Sequence, residues 1–380
     1  PVIDLMIRAR PEVEAMTPYV APLEGRRSLL RLDFNESTVG PSPAVVEAIR
    51  GLLPDAYGTY PEYAGLNDAY AATLGVPASH VEAFNGVDAA IRAIFDAYGE
   101  RGGTFLTTVP TFGYYAPCAQ QQGMVIDEIL YPKDLSFPLE AVTRRLEARP
   151  RLCFICNPNN PTGTLLAPHA ITALARSSPV TLVVVDELYV AFTGQSILPA
   201  ALELPNVLAL QSLSKAAGIA ALRLGFAVGH PTIVERLRRV TGPYDINMFA
   251  VVAGKAALAD PDHMRQYVVE VLAARAWTID ELRGLGVRYA GDGGNYVLVW
   301  PPGDCEDVVG ALRDEGILVR SMAGKPVIDG SFRLTIGTRQ DMRRFMTAFA
   351  SAINPPGSGA ASGSPAWARR RRAGPSPPHP

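Results

Sequence analysis

The first candidate reactive residues in the sequence lie around residue 215. The stretch Gln211-Ser212-Leu213-Ser214-Lys215 follows a strand-like apolar run, 207–210, and Arg223 comes eight residues after the lysine. A lysine amine forms Schiff bases with carbonyl cofactors, of which pyridoxal phosphate (PLP) is the commonest. Hydroxyl groups and an arginine beside such a lysine suit a phosphate monoester. Alone, the stretch is also compatible with a plain loop lysine or with the Ser-x-x-Lys motif of unrelated serine enzymes.

Two further polar motifs follow apolar runs upstream. Asn157-Pro158-Asn159-Asn160-Pro161-Thr162-Gly163 comes directly after the run 152–156. Asp186 ends the run 181–185, and Tyr189 follows three residues later. In open sheets of parallel strands, ligands bind beyond the carboxyl ends of the strands. The sequence therefore predicts that all three motifs meet at one edge of a sheet.

Together these motifs resemble those of the fold-type I PLP aminotransferases, and within them the histidinol-phosphate aminotransferase branch. The resemblance covers about residues 17–350, with four motifs in the family's order and spacing. It implies three catalytic residues. Lys215 carries the cofactor and then moves a proton on the substrate, Asp186 pairs with the pyridine nitrogen, and Tyr189 bonds the phenolic oxygen. The resemblance also implies further cofactor contacts, one to the phenolic oxygen and the rest to the phosphate: Asn160, Ser212, Ser214 and Arg223.

A glycine turn adds to the predicted phosphate site. Asn85-Gly86-Val87-Asp88-Ala89 comes just before an apolar helical pattern, and a helix N-terminus presents free backbone amides to a phosphate. The resemblance assigns Val87, Asp88 and Ala89 to the PLP phosphate. The side chain of Asp88 has an alternative role as a helix cap.

Two aromatic positions complete the cofactor set that the resemblance implies. Pro110-Thr111-Phe112-Gly113-Tyr114-Tyr115 resembles the turn whose aromatic ring stacks on the pyridine. By position that ring is Phe112, although Tyr115 could stack instead and a plain core aromatic is the alternative. Tyr60 matches a tyrosine that reaches the phosphate from the neighbouring subunit. The resemblance therefore implies a homodimer.

The substrate set rests on a predicted strand, Phe332-Arg333-Leu334-Thr335-Ile336-Gly337. A planar guanidinium suits a carboxylate or a phosphate. By resemblance Arg333 binds the anionic end of the substrate, with Asn160 beside it. Arg320 and Tyr19 stand at the positions that help to hold a substrate phosphate, although Arg320 could equally be an exposed strand arginine.

Two segments depart from the pattern of the branch. Asn35-Glu36-Ser37-Thr38-Val39 stands where the branch has Asn-Glu-Asn-Pro, and Gln340-Asp341-Met342 stands where it has an acidic-Asn pair. The cofactor set is intact, whereas these segments alter the set that faces the substrate. The intact cofactor set therefore predicts PLP chemistry, whereas the altered segments leave the amino substrate open between histidinol phosphate and an aromatic amino acid.

The predicted helices and strands divide the chain into four parts. An N-terminal arm, 1–35, precedes a large PLP-binding domain, 36–261, in which short apolar runs lie at 104–107, 124–129, 152–156, 180–185, 207–210 and 224–228. Such runs, separated by helix-length stretches, predict an α/β fold with a mostly parallel sheet covered by helices, and the resemblance makes that sheet seven-stranded.

A small α+β domain, 262–353, is predicted to follow the large domain. A long helix, about 262–284, links the two; strands are predicted at 287–290, 296–300, 317–320 and 332–336, and helices at 304–315 and 338–353. The tail 354–380 is rich in Pro, Gly, Ser and Ala, carries a basic run and is predicted to be disordered, because it has little apolar surface to bury.

Composition limits the possible partners and compartments. A hydrophobic fraction of 48% with 19% charged residues is ordinary for a soluble enzyme, and a net charge of −2 gives no reason to expect nucleic acid or a membrane as partner. Cys153 and Cys156 fall inside a buried-strand pattern, and no second Cys/His pair has zinc spacing, so no metal site is expected. Four scattered cysteines and the lack of a signal-peptide pattern predict a cytoplasmic protein.

The leading hypothesis is a PLP-dependent aminotransferase that uses two half-reactions. The resemblance implies an amino donor such as histidinol phosphate or an aromatic amino acid, and a 2-oxo acid acceptor such as 2-oxoglutarate. The alternative is a PLP-dependent decarboxylase that resembles threonine-phosphate decarboxylase, because the two share nearly every motif above. A PLP-binding regulator is a third and weaker reading, since no DNA-binding pattern precedes residue 17.

Overall fold

The structure is a computed structural model, and it describes residues 7–354 of the 380-residue chain. In that part, the strands are β1 (Leu30–Leu32), β2 (Val81–Asn85), β3 (Thr104–Val109), β4 (Val125–Leu130), β5 (Leu152–Cys156), β6 (Leu182–Asp186), β7 (Val207–Ser212), β8 (Leu224–Gly229), β9 (Arg288–Ala290), β10 (Tyr296–Trp300), β11 (Ile317–Ser321) and β12 (Phe332–Thr335). The α-helices are α1 (Pro11–Glu14), α2 (Pro43–Arg50), α3 (Ala64–Leu74), α4 (Val87–Tyr98), α5 (Tyr115–Gln121), α6 (Leu139–Leu146), α7 (Pro168–Ser177), α8 (Leu198–Glu203), α9 (Pro231–Val240), α10 (Met248–Ala259), α11 (Pro261–Gly284), α12 (Cys305–Asp314) and α13 (Arg339–Ile353).

The larger sheet has seven strands in the order β2-β8-β7-β6-β5-β3-β4. Its neighbouring strands are parallel except where β8 pairs with β2 and with β7. The predicted fold class, an α/β chain with a mostly parallel seven-stranded sheet, is therefore confirmed. The six apolar runs between 104 and 228 correspond to β3 through β8, with ends that differ by at most two residues.

Helices cover this sheet on both faces, and β5 shows why its strands are continuously apolar. All five residues of β5 are buried. Phe154 packs on one face with Phe95 of α4, whereas Cys153 and Ile155 pack on the other face with Ile171 of α7. Since successive side chains of a strand point to opposite faces, a strand covered on both sides needs an apolar residue at every position.

The direction of the strands decides where the functional residues meet. β2, β3, β5, β6 and β7 run the same way, so their carboxyl ends lie at one edge of the sheet, and β8 starts from that edge because it runs the other way. The residues that follow these five parallel strands therefore lie close to one another and to the residues just before β8.

The smaller sheet has five strands in the order β1-β11-β12-β10-β9. Its strands are antiparallel except for the pair β1 and β11. On one side, the rings of Phe345 and Phe349 in α13 pack at 6.3 and 6.0 Å from that of Phe332 in β12. The strands and helices predicted between 262 and 353 correspond to α11, α12, α13 and β9 through β12.

β1 is a finding that the sequence does not predict. It lies in the segment interpreted as an arm and pairs Leu30 with Ile317 and Leu32 with Val319. Three residues show no periodicity, so only this long-range pairing defines the strand. The domain boundaries stay a prediction, and the predicted tail, except for Asn354, falls outside the described residues.

Two further observations concern the whole described chain. Between residues 7 and 354, no helix is long and apolar enough to cross a membrane. The four cysteines are free thiols and all are buried, with Cys153 and Cys156 inside β5.

Candidate active site

A cavity of about 600 Å³ opens at the carboxyl edge of the larger sheet, between it and the smaller sheet. The structure brings most of the predicted site residues to its wall: Tyr19, Val87, Asp88, Phe112, Asn160, Asp186, Tyr189, Ser212, Ser214, Lys215, Arg223, Arg320 and Arg333. Ala89 and Tyr60 do not line the cavity. Ala89 is buried in α4, and its amide donates to the Gly86 carbonyl at 3.2 Å. Tyr60 is 71% exposed.

Lys215 lies just after β7, partly buried in the cavity wall. Its Nζ donates to the backbone carbonyl of Phe34 at 2.8 Å. Burial, together with the positive charge of Arg333, lowers the pKa of Lys215 to about 8. Near neutral pH this amine therefore loses its proton far more readily than an exposed lysine, which is what a nucleophile or a base requires.

Asp186 ends β6 and is only 3% exposed. Its Oδ2 accepts a hydrogen bond of 2.5 Å from the Tyr115 hydroxyl, and its Oδ1 accepts one of 3.1 Å from the Leu188 amide. Burial raises the pKa of Asp186 to about 6, against the effect of these two donors. A buried carboxylate that faces a cavity suits a cationic partner, such as a protonated ring nitrogen.

The aromatic ring that faces the cavity is Phe112 and not Tyr115. Tyr115 is fully buried, and its ring contacts that of Phe112 edge-to-face at 5.5 Å. The alternative in which Tyr115 stacks on the cofactor is therefore wrong for this structure. Its hydrogen bond to Asp186 is a feature that sequence reasoning missed, because the direction of the phenol depends on where α5 begins.

The proposed phosphate cradle is built from backbone that tolerates no side chain. Gly86 has a φ of 76°, and a Cβ on it would lie 2.5 Å from Nη2 of Arg223. A Cβ on Gly225 would lie 2.6 Å from the amide nitrogen of Val87, at the start of α4. The two glycines therefore allow Arg223 to lie beside the N-terminus of α4. An arginine and the free amides of a helix N-terminus together can bind a phosphate.

Asp88 does not cap α4, contrary to the alternative drawn from the sequence. No side-chain cap bond forms at that helix start. Instead its Oδ2 pairs with Nη2 of Arg223 at 3.0 Å. Ser212 Oγ donates to the Leu224 carbonyl and accepts from the amide of Ser214 at 2.9 Å, so the serine turn is ordered by its own hydrogen bonds.

Tyr189 and Asn160 also line the cavity. The Tyr189 hydroxyl accepts from Nδ2 of Asn35 at 2.9 Å and from Nδ2 of Asn160 at 3.4 Å. Burial raises the pKa of Tyr189. Sequence reasoning missed Asn35 as a site residue: it has a φ of 55° and bonds Thr335 of β12 through its amide and its side chain. The unusual motif around it was the only signal.

Arg333 and Arg320 pair in register across β12 and β11. Arg333 is buried; its Nη1 donates to Oδ1 of Asn160 and its Nη2 to the Asp33 carbonyl, each at 2.5 Å, while its Nε has no partner among residues 7–354. The guanidinium of Arg320 lies 5.6 Å from the Phe34 ring, and it makes no ion pair with any described residue. Within residues 7–354, neither cation forms an ion pair with a carboxylate.

Other residues at the mouth include one cation that the sequence did not single out. Tyr19 is 55% exposed and its ring lies 5.9 Å from that of Tyr114. Lys325, in the connection between β11 and β12, also lines the cavity. Nothing in its local sequence pointed to this position.

The second segment that departs from the branch turns away from the cavity. Asp341 accepts hydrogen bonds from the Thr338 amide at 2.9 Å and from the Thr38 hydroxyl at 2.7 Å, and so caps α13. Neither it nor Gln340 lines the cavity. Glu36, from the first segment, does line it, and pairs with Arg26 at 2.8 Å.

The residues present fit PLP. A lysine with a lowered pKa, a buried carboxylate, a flat aromatic ring and a glycine-lined cradle with an arginine supply a partner for the carbonyl, the ring nitrogen, the ring face and the phosphate, respectively. The fit rests on the donor set and on Gly86 and Gly225, which leave room for the Arg223 guanidinium and for the Val87 amide, respectively.

Comparison with known proteins gives consistent findings. Residues 27–349 match the family described as aminotransferase class I and II. The chain is 33% identical over 354 residues to a histidinol-phosphate aminotransferase of Anaeromyxobacter sp. (strain Fw109-5), covering 89% of this chain and 97% of that protein. It is 30% identical over 355 residues to a dihydroxyacetone phosphate transaminase of Campylobacter jejuni, covering 88% and 95%. The crystal structure of histidinol-phosphate aminotransferase from Sinorhizobium meliloti in complex with pyridoxal-5'-phosphate superimposes with a TM-score of 0.84, at 23% identity, covering 92% of this chain and 98% of that one.

Proposed function

The chain belongs to the class I and II aminotransferases and is a PLP-dependent enzyme that transfers amino groups; from this premise we propose that its amino substrate carries an anion at the end remote from the reacting carbon. Histidinol phosphate is the first candidate and an aromatic amino acid the second. The acceptor is a 2-oxo acid such as 2-oxoglutarate. When bound, PLP supplies a carbonyl carbon that exchanges amino groups and a ring that draws electron density from the substrate.

Within that reaction, each residue of the cavity has a proposed task. Lys215 tethers the cofactor and, once released, moves a proton at the substrate carbon, for which its lowered pKa suits it. Asp186 holds the ring nitrogen in its protonated form. Asn160 and Tyr189 bond the phenolic oxygen, and Phe112 packs on the ring face.

The observation that carries the substrate proposal is the pair of unneutralised arginines. Arg320 and Arg333 lie side by side in the cavity wall, and Tyr19 and Lys325 lie at the same mouth. Two guanidinium groups suit a phosphate dianion, whereas one suffices for a carboxylate. The two relatives named above act, by their names, on phosphorylated substrates, which supports the first candidate.

The proposal is tested by offering one candidate at a time to the holoenzyme with 2-oxoglutarate. Glutamate formation from histidinol phosphate, at a kcat/KM above that with L-phenylalanine, supports the phosphate site. Carbon dioxide release from threonine phosphate would instead support the decarboxylase. No contact among the described cavity residues favours that reaction. A preference for the aromatic amino acid would reject the phosphate substrate.

Replacing Arg320 by alanine should discriminate between the two substrate classes. We expect kcat/KM for histidinol phosphate to fall by about ten- to a hundred-fold, the size of one hydrogen bond to a charged group. For an aromatic amino acid, kcat/KM should change little, because Arg333 remains. Steady-state kinetics with both substrates measure the difference.

Arg288→Ala is the matched control for that variant. Arg288 is also a strand arginine of the smaller sheet and stacks on an aromatic ring, Trp300, at 4.0 Å, but it does not line the cavity. Arg288→Ala should leave kcat/KM unchanged for both substrates. Equal losses for both substrate classes in Arg320→Ala would reject the two-arginine phosphate site.

We propose that the active unit is a homodimer. A patch of exposed aromatic and aliphatic side chains supports this: Tyr60 stacks on Tyr244 at 4.3 Å, Tyr57 contacts Phe249 at 5.4 Å, and Leu53 is 69% exposed. Tyr60 does not line the cavity of its own chain. In the proposed dimer it reaches the cofactor phosphate of the other subunit. Four free thiols favour the cytoplasm as the compartment.

Tyr60→Phe should weaken PLP binding without dissolving the dimer. One hydrogen bond to a charged phosphate contributes about 1.5–3 kcal/mol, so the Kd for PLP should rise by roughly ten- to a hundred-fold. Spectroscopic titration of the apoprotein measures the Kd, and light scattering measures the mass. Tyr57→Phe, in the same patch, serves as the control and should bind PLP normally. A fully active monomer would contradict both proposals.

A further inference from the structure

Tyr115 is a buried phenol to which the proposed reaction assigns no role. It is the first residue of α5, is fully buried, and its hydroxyl donates to Oδ2 of Asp186 at 2.5 Å. Its ring is held by Phe154 at 5.1 Å and by Phe112 at 5.5 Å, both edge-to-face. The phenol therefore cannot swing away from the carboxylate without disturbing the packing around it.

Few groups around Asp186 can donate to it. The titratable side chains close enough to interact electrostatically with Asp186 are Asp88, Cys156, Glu187, Tyr189 and Tyr296, together with Tyr115. Among residues 7–354, its carboxylate accepts from two groups, the Leu188 amide on Oδ1 and the Tyr115 hydroxyl on Oδ2. Tyr115 is thus the side-chain donor, and the two bonds fix the plane of the carboxylate.

We propose that Tyr115 is a positioning residue that keeps the proton shared by Asp186 and the cofactor's ring nitrogen on the nitrogen. The proposal depends on the proposed pairing of Asp186 with that nitrogen. A hydrogen bond donated to a carboxylate favours its charged form. Tyr115 therefore makes Asp186 a weaker base, and a weaker base leaves the proton on the ring.

Loss of the Tyr115 hydroxyl should change the protonation of the cofactor's ring nitrogen and should leave the fold intact. Without it, Asp186 remains buried with one donor, and burial favours the neutral carboxylic acid. The proton then moves toward Asp186, the ring loses its positive charge, and it draws electron density from the substrate less strongly. The cavity itself keeps its shape, because phenylalanine fills the same space.

The test compares Tyr115→Phe with Tyr131→Phe. Tyr131, which directly follows β4, is also a buried phenol, 2% exposed, but its hydroxyl bonds Thr108 and no carboxylate within residues 7–354 shifts its pKa. Each protein is loaded with PLP labelled with ¹⁵N in the ring, and the ¹⁵N chemical shift is followed across pH. The wild type and Tyr131→Phe should keep a protonated ring. Tyr115→Phe should shift toward the neutral ring, with kcat reduced by about ten- to a hundred-fold and KM nearly unchanged.

A second measurement needs no cofactor. Burial raises the pKa of Asp186 to about 6 in the folded protein, above the value of about 3.9 in an unfolded chain. The folded state therefore holds this proton more tightly, and stability falls as pH rises between about 4 and 6. Removal of the Tyr115 donor should raise the folded pKa further, so Tyr115→Phe apoprotein should be destabilised more at pH 8 than at pH 5. Tyr131→Phe should be destabilised equally at both.

Asp186→Asn separates failure of this inference from failure of the proposed Asp186 role. If the ring is neutral in Asp186→Asn and shifted in Tyr115→Phe, the inference holds. If the ring is neutral in Asp186→Asn but Tyr115→Phe behaves like Tyr131→Phe in both measurements, Tyr115 is merely structural and the inference is overturned. If Asp186→Asn keeps a protonated ring, the role of Asp186 fails, and the inference fails with it.

Discussion

Replacing Lys215 by alanine should abolish covalent attachment of PLP and lower kcat by at least about 10²–10⁴-fold, the contribution of a positioned acid or base alone. Lys215 lies just after β7 in the wall of the cavity, and its pKa of about 8 keeps part of the amine unprotonated near neutral pH. Alanine removes both the nucleophile and the base. PLP should still bind reversibly, because the phosphate cradle is unaltered.

The control for this prediction comes from the second lysine in the cavity wall. Lys325 also lines the cavity, so a lysine there could in principle capture the cofactor. Lys325 is exposed, however, and lies in the connection between β11 and β12 of the smaller sheet. Lys325→Ala should therefore retain the absorbance of covalently bound PLP, and mass spectrometry after borohydride reduction should place the label on Lys215. A label on Lys325, or unchanged absorbance in Lys215→Ala, would show that Lys215 is not the residue that binds PLP covalently.

The parts of the fold that could be predicted are those in which local sequence and burial agree. β5, β6 and β7 are apolar at nearly every position because helices cover both faces of the sheet, so the runs themselves are the signal. Since these strands are parallel, the polar residues at their ends had to meet at one edge. That reasoning placed Asn160, Asp186 and Lys215 together without any knowledge of their contacts.

The parts that could not be predicted depend on pairing between distant segments. β1 exists only because Leu30–Leu32 pairs with β11. That pairing brings the Phe34 carbonyl to Lys215 and the side chain of Asn35 to Tyr189. No local pattern encodes either contact. The hydrogen bond from Tyr115 to Asp186 likewise depends on the start of α5.

The sequence alone is also unable to assign different roles to two neighbouring acidic residues. Asp186 and Glu187 are adjacent and both buried, and the sequence alone does not separate them except through the family resemblance. In the structure, Glu187 turns away from the cavity and accepts from Gln211 at 2.9 Å, from Ser196 at 2.7 Å and from the Ile197 amide at 2.6 Å. Every one of its partners is structural, whereas Asp186 lines the cavity.

This difference defines the second large prediction, Asp186→Asn. Asparagine preserves the shape of the side chain and can still accept from the Leu188 amide, so the protein should fold and bind PLP. Its amide carries no negative charge, however, and cannot keep the ring nitrogen protonated. We expect kcat to fall by roughly 10²–10³-fold or more, the cost of removing one electrostatic partner from a buried site. Single-turnover kinetics with the amino substrate should show the loss in the proton-transfer step.

Glu187→Gln is the matched control, because it neutralises the adjacent carboxylate at the same strand end. Burial raises the pKa of both Asp186 and Glu187, so each variant removes an acid that the fold holds in an unfavourable environment. Glu187→Gln should therefore alter stability while kcat stays within a fewfold of the wild type, whereas Asp186→Asn should alter stability and lower kcat as well. If Asp186→Asn turned over substrate at a near wild-type rate, or if both variants lost activity equally, the charge of Asp186 would be structural, and the ring nitrogen would need another partner in this cavity.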